Sequence, residues 1–159
     1  MSTLIKNVHI FDGRKDCGTG EAAFSGGVFV SECPSPGEVI DGEGCFLMPG
    51  LIDSHIHTYR DTSYLAKASS YGVTTLLEMG NRQREVTDLN KSHTELANVL
   101  TCYSIAASPY SEVNTRMNYG PEVIMHSPEE GREYVRRMVS WGADYIKVIL
   151  EEPKVHFPE

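Results

Sequence analysis

Short apolar runs separated by turn residues occupy the first 48 positions of the chain, a pattern typical of β-strands. Asp-Gly at 12–13 and Asp-Gly-Glu-Gly at 41–44 are turn sequences that divide these runs. The strands predicted in this way cover residues 4–11, 22–30, 39–40 and 45–48. Residues 1–50 are therefore expected to form a small β subdomain that is incomplete by itself.

From residue 51 the pattern changes to apolar strands separated by helix-length stretches, which is typical of βα units around a parallel sheet. One helix is predicted between a cap at Asp61 or Thr62 and a terminating Gly72, and another between the capping box at 127–130 and Gly142. A complete (β/α)₈ barrel takes about 250 residues. Residues 51–159 therefore predict roughly four units, the first half of a barrel. The predicted strands are 51–57, 73–79, 99–106 and 145–150.

Composition narrows the choice of partners. The chain has 22 acidic and 14 basic residues, a net charge of −8, and no basic run, so nucleic acid and anionic membranes are not expected partners. The N-terminus has no long apolar segment, and a cytoplasmic location is expected. The cysteines lack C-x-x-C spacing and are expected to be reduced thiols rather than a disulfide frame or a zinc knuckle: Cys17, Cys33, Cys45 and Cys102.

His55 and His57 follow the first predicted barrel strand at a spacing of i and i+2. Alternate residues of a strand leave the same face, so the two imidazoles can converge on one ion. Neutral imidazole is the commonest ligand of Zn²⁺. The spacing alone leaves another interpretation open, in which both histidines are exposed or satisfied within a core at a strand end.

The surrounding phrase Pro-Gly-Leu-Ile-Asp-x-His-x-His, residues 49–57, resembles the amidohydrolase superfamily of metal-dependent hydrolases. In that family the phrase forms the first strand of a TIM barrel and supplies two metal ligands. The resemblance implies an α/β fold, a partial TIM barrel preceded by a small β subdomain. It also favours metal ligation by His55 and His57 over the alternative.

A lysine, Lys147, interrupts the apolar strand predicted over 145–150. Burial disfavours a charged amine and leaves a nucleophile. The phrase Gly-Ala-Asp-x-Ile-Lys, residues 142–147, resembles amidohydrolases in which the strand-four lysine becomes a carbamate that bridges two metal ions. The other interpretation is an exposed lysine paired with Glu151 or Glu152.

The resemblance implies hydrolysis of an amide or other C–N bond in a small molecule, such as a dipeptide or a cyclic amide. His55, His57 and Lys147 would hold divalent metal, most simply zinc in a binuclear site, and no residue is assigned as catalytic or as binding another cofactor. The family's later histidine and aspartate strands have no counterpart in these residues. The chain is therefore expected to be truncated and inactive alone, and whether it acts as an enzyme is left open.

Two other hypotheses follow from the absence of the later barrel strands in these residues. The chain could complete its barrel with a second copy or with a missing C-terminal half, or it could be a non-catalytic metal-binding or self-assembling interaction protein. Glu78, which follows a strand similar to the family's second, is interpreted as structural. The remaining histidines are interpreted as surface residues: His9, His93, His126 and His156.

Overall fold

The computed structural model describes residues 2–59, 62–109, 111–117 and 119–151. It divides into two compact units, Met1–Pro49 and Gly50–Glu159.

The first unit is a five-stranded sheet in which β1 is central. β1 pairs antiparallel with β2 and parallel with β4 and β5, and β2 continues into the edge strand β3. The prediction of one strand over 22–30 is wrong, because Gly26 and Gly27 have φ of 60° and 83° and turn the chain into a hairpin there. The strands are β1 Ser2–Phe11, β2 Asp16–Ser25, β3 Val28–Val30, β4 Glu38–Asp41 and β5 Phe46–Leu47.

The second unit contains parallel strands in the order in which they occur along the chain. β6 pairs with β7 and β7 with β8, while β9 pairs with β10. All these pairings are parallel, as the alternation of strands and helices predicted. The strands are β6 Leu51–Ile56, β7 Val73–Glu78, β8 Asn98–Thr101, β9 Ile105–Ala107 and β10 Lys147–Ile149.

The third predicted strand, 99–106, is divided in the structure into β8 and β9. Tyr103 lies between them with φ of 57°, a left-handed conformation that interrupts an extended strand. The amide of Ser104 donates to the carbonyl of Cys102 at 2.6 Å, which closes a tight local turn. One sequence strand therefore pairs with β7 through its first segment and with β10 through its second.

The α-helices found among the described residues, four in number, pack against these strands. The capping box and the final glycine predicted for the last helix are confirmed: Ser127 Oγ accepts from the Glu130 amide at 3.2 Å, and Gly142 ends the helix with φ of 88°. Thr62 precedes the first helix without a side-chain cap bond, and Asp61 lies outside the described residues. The helices are α1 Ser63–Ser70, α2 Arg84–Ser92, α3 Val113–Met117 and α4 Pro128–Trp141, with a 3₁₀ turn at Pro121–Val123. Among the helices described here, none has the length and apolar character needed to span a bilayer.

The core of the second unit lies between the strands and the helices. One cluster joins Leu65 of α1 to Leu76 of β7 and Val99 of β8. Another joins Tyr103 to Tyr134 and Met138 of α4. Ile56 of β6 belongs to the first cluster, so the residues at the carboxyl ends of β6 and β7 have defined positions.

Candidate metal centre

His55 and His57 lie at the carboxyl end of β6, and the structure brings their rings together. The ring centroids are 5.5 Å apart in an edge-on arrangement. The His55 side chain is exposed, and His57 is half-buried immediately after the strand. Two imidazoles at this separation can approach one ion with a small change of side-chain torsion angles.

The ring of His57 is oriented by backbone and aromatic contacts. Its Nδ1 lies 3.2 Å from the carbonyl oxygen of Gly80, and the ring stacks on Tyr59 with centroids 5.6 Å apart. When Nδ1 carries the proton and donates to this carbonyl, the lone pair remains on Nε2. Burial of the ring lowers the pKa of His57, and nearby Lys147 lowers it further, against the Gly80 hydrogen bond. The neutral, metal-binding form is favoured at neutral pH.

Lys147 is the first residue of β10 and is half-buried. Its Nζ donates to the carbonyl oxygen of Met79 at 3.0 Å, directly after β7. The ammonium group interacts electrostatically with His57 and with Glu78. The structure therefore brings Lys147 into the same region as the histidines.

Glu151, which the other interpretation pairs with Lys147, has different partners in the structure. Glu151 Oε2 accepts from Ser111 Oγ at 2.5 Å and from the Glu112 amide at 2.6 Å. Glu152 lies outside the described residues.

Glu78 is fully buried beneath this group, at the end of β7. One carboxylate oxygen accepts from the Gly80 amide at 3.1 Å and from Thr101 Oγ1 at 3.2 Å. The other, Oε1, has no hydrogen-bond partner among the described residues and lies 3.7 Å from His57 Nδ1. Burial raises the pKa of Glu78 to about 7, although its hydrogen bonds and Lys147 act in the opposite direction.

The sequence pattern gave no reason to place Glu78 at the site. Its neighbours Leu77 and Met79 make it one polar residue within an apolar strand. The available signal was its position, because the carboxyl ends of parallel strands meet at one edge of a sheet.

The chemical types of the ligand groups suit a divalent cation, but these groups are few. Within the described ranges, no three His, Cys, Asp or Glu side chains are grouped so that they could hold a metal ion. What the strand ends present is two imidazoles and one amine, with a buried carboxylate behind His57. Imidazole nitrogen suits zinc and other late transition metals.

Three of the remaining histidines lie among the described residues. His9 contacts Asp16 at 2.6 Å in the first unit, and His93 contacts Glu95 at 3.3 Å. His126 is exposed before α4, and His156 lies outside the described residues. The four cysteines are free, as the sequence predicted.

A cavity of about 330 Å³ opens beside His57. Its walls come from the segment after β6, the segment between β7 and α2, and the region around α3. The residues that line it are His57, Tyr59, Gly80, Asn81, Arg82, Gln83, Arg116, Met117 and Tyr119.

Comparison with solved structures confirms the resemblance at the level of the fold, and the neighbours are amidohydrolase-superfamily enzymes. A Xaa-Pro dipeptidase with bound methionine matches with a TM-score of 0.69 and 19% identity, over 93% of this chain and 47% of the dipeptidase. The putative prolidase from Bifidobacterium longum matches with a TM-score of 0.68 and 22% identity, over 95% and 41%. Ochratoxinase of A. niger matches with a TM-score of 0.65 and 22% identity, over 92% and 46%.

The chain thus has a partial amidohydrolase fold and spans less than half the length of each of these enzymes. In sequence, it is 41% identical over 68 residues to a 5-methylthioadenosine/S-adenosylhomocysteine deaminase from Halalkalibacterium halodurans, covering 36% of this chain and 16% of the deaminase. No family model matches the chain.

Proposed function

We propose that this chain carries part of a metal-dependent hydrolase site for an amide or other C–N bond in a small molecule. The observation that carries the proposal is the placement of His55 and His57 at the carboxyl end of β6, with the Lys147 ammonium held just past the carboxyl end of β7, in a partial amidohydrolase fold. Sites on parallel α/β folds lie at this end of the strands.

His55, His57 and Lys147 are the residues that would hold metal, zinc being the simplest choice for two imidazoles. A bound divalent ion would polarise the carbonyl of the substrate and lower the pKa of a coordinated water to about 7. The Gly80 carbonyl keeps the proton on Nδ1 of His57, so that the lone pair of Nε2 can ligate a metal ion. Lys147, held near Met79, would supply oxygen ligands after carboxylation by CO₂.

The buried carboxylate of Glu78 supports the orientation of His57. A carboxylate near a histidine ring favours, by electrostatic attraction, a proton on the ring nitrogen that is closer to it. Glu78 Oε1 is close to Nδ1, at 3.7 Å, but beyond hydrogen-bond distance. We propose that Glu78 is a positioning residue and not a ligand.

Titration with Co²⁺ tests the metal site, because the visible spectrum of cobalt reports its ligands. We expect wild-type protein to develop a cobalt absorption band that His57→Ala and His55→Ala abolish. His93→Ala is the matched control and should keep the band, because His93 lies outside the group. Identical spectra for the wild type and His57→Ala would refute the assignment.

Carboxylation of Lys147 requires a separate measurement. With ¹³C-bicarbonate and metal, we expect a carbamate ¹³C resonance in the wild type that Lys147→Met lacks. Lys91→Met is the control, since Lys91 is ion-paired with Asp144 at 2.6 Å and should not contribute the resonance. A resonance that survives Lys147→Met would place the carbamate elsewhere.

We expect metal binding to be weak and turnover by these 159 residues to be negligible. Two imidazoles and one lysine-derived ligand are fewer than a binuclear site uses, and affinity falls as ligands are lost. Metal analysis after dialysis measures this directly. Near-stoichiometric retained zinc would show that further residues complete the site.

A further inference from the structure

We propose that the cavity beside His57 is an anion subsite in which the guanidinium groups of Arg82 and Arg116 bind the carboxylate of a small-molecule ligand. The inference rests on the proposed function only in treating that ligand as the substrate. It would favour substrates with a free carboxylate, such as N-acylated amino acids or dipeptides, over neutral cyclic amides.

The charge of the cavity differs from that of the chain. The whole sequence has 22 acidic and 14 basic residues, whereas the described residues that line the cavity include two arginines and no aspartate or glutamate; Glu112, the ion-pair partner of Arg116, is not among them. A positive cleft on an acidic protein concentrates small anions at that point.

Arg82 has a defined backbone position at the cavity wall. The preceding residue, Asn81, is anchored twice: its Nδ2 donates to the Tyr59 carbonyl at 2.7 Å, and its Oδ1 accepts from the Gln83 amide at 2.9 Å. The Arg82 guanidinium carbon lies 5.8 Å from the centre of the Tyr119 ring. This contact holds the planar charged group against an aromatic wall.

Arg116 reaches the cavity from α3. Its Nε lies 2.9 Å from Glu112 Oε2 in an i, i+4 pair whose arginine is 67% exposed. An exposed pair of this kind contributes little and exchanges readily. The guanidinium has five N–H donors, so those not used by Glu112 are available to a ligand. Two arginines on different segments suit the planar oxygens of a carboxylate.

The size of the cavity sets the class of ligand. About 330 Å³ is near the lower limit for small-molecule pockets. Tyr59 and Met117 add apolar surface beside the charged groups. A ligand of amino-acid or dipeptide size, with one apolar side chain and one carboxylate, matches this combination.

Binding of a matched ligand pair tests the subsite. N-acetyl-L-leucine and N-acetyl-L-leucinamide have nearly the same shape and differ in one negative charge. By ligand-detected NMR titration of the full chain, we expect the carboxylate to bind at least about tenfold more tightly than the amide. Arg82→Gln and Arg116→Gln should each reduce this preference several-fold, and the double variant should abolish it. Arg132→Gln on the exposed face of α4 is the matched control and should keep it.

Equal binding of the two ligands by the wild type, binding of neither, or an unchanged preference in the double variant would overturn the proposal. The cobalt spectrum separates this outcome from failure of the metal site. We expect the double variant to keep the wild-type spectrum, since neither arginine is a proposed ligand. A carboxylate preference in a chain that shows no cobalt band would refute the metal site and leave the anion subsite standing.

Discussion

At the scale of single residues, Gly50 is a position where no larger residue fits without a shift of its neighbours. A Cβ at Gly50 would lie 2.1 Å from Oγ1 of Thr74, whereas a Cβ at Gly131 within α4 would meet nothing within 4 Å. We expect Gly50→Ala to lower the free energy of unfolding by about 1–3 kcal/mol through overpacking. Gly131→Ala should raise it by about 0.5–1 kcal/mol through helix propensity. Urea unfolding of both variants measures the contrast, and equal effects would contradict the close packing of Gly50 on Thr74.

Glu78 should give the metal-free protein a specific pH dependence. An unfolded glutamate releases its proton near 4.5, but the folded pKa is about 7, so between these values the folded state binds more protons. The contribution of Glu78 to the free energy of unfolding therefore falls by at most about 3 kcal/mol as the pH rises from about 4.5 to 7. Above pH 7 this contribution is constant.

Glu78→Gln should remove this decline. We expect its free energy of unfolding, relative to wild type, to rise by up to about 3 kcal/mol between pH 5 and pH 8. The exposed Glu133→Gln is the control and should follow wild type. Urea unfolding in a chelator at several pH values makes the comparison, and parallel curves for Glu78→Gln and wild type would refute it.

At the scale of elements, Asp144 joins the end of α4 to β8. Its Oδ2 accepts from the buried Thr101 amide at 2.8 Å and from Lys91 Nζ at 2.6 Å. Asp144→Ala would leave the Thr101 N–H without an acceptor, which costs about 1–3 kcal/mol. Asp144→Asn keeps an oxygen there and should cost less.

Lys91→Met removes the partly exposed ion pair and the hydrogen bond from Nζ to the Gly142 carbonyl at 3.1 Å, and it should cost under about 1 kcal/mol. Thermal and urea unfolding of the three variants ranks them. If Asp144→Ala were no worse than Lys91→Met, the ion pair and not the amide contact would be the stabilising interaction.

Elements with local signals were predictable from the sequence, and those set by tertiary contacts were not. α4 has a capping serine, a proline in its first turn and a terminal glycine, each of which acts within a few residues. α2 buries Thr87 and Asn90 while Leu89 is 52% exposed, so its sequence has no apolar face to detect. The break between β8 and β9 depends on the left-handed Tyr103, a residue type that does not indicate this conformation.

The residues of the candidate site also divide into those with a local sequence signal and those set by tertiary contacts. The two histidines and Lys147 were identifiable because each lies in a local phrase at a strand end. Glu78 and the two arginines of the cavity come from segments that only the assembled sheet brings together. Their roles depend on burial and on distant neighbours: Glu78 accepts from Thr101, 23 positions further along the chain, and Arg82 lies over the ring of Tyr119.

At the scale of the whole molecule, the described outer strands β6 and β10 present apolar side chains to solvent. Ile52 of β6 is 65% exposed and Val148 of β10 58%, and Leu150, directly after β10, is 84% exposed. Apolar residues along an open strand edge favour pairing with another chain. We expect the purified chain to self-associate, with a sedimentation coefficient that increases with concentration.

Charged substitutions locate the surface responsible. Val148→Lys combined with Leu150→Lys should reduce self-association, whereas Val139→Lys, at a position 64% exposed on α4, should have little effect. A compact 17.7 kDa species at all concentrations would contradict the expectation.

The carbonyl oxygen of Gly80 contacts both the candidate metal centre and the cavity beside it. It lies 3.2 Å from His57 Nδ1 and accepts from the Tyr119 hydroxyl at 3.3 Å. Tyr119 is also the aromatic wall under Arg82. A ligand that draws this hydroxyl toward itself leaves the imidazole as the carbonyl's sole donor and strengthens that bond. The chemical shift of the His57 ring N–H proton should therefore report ligand binding in the neighbouring cavity, and NMR can measure it without any assay of turnover.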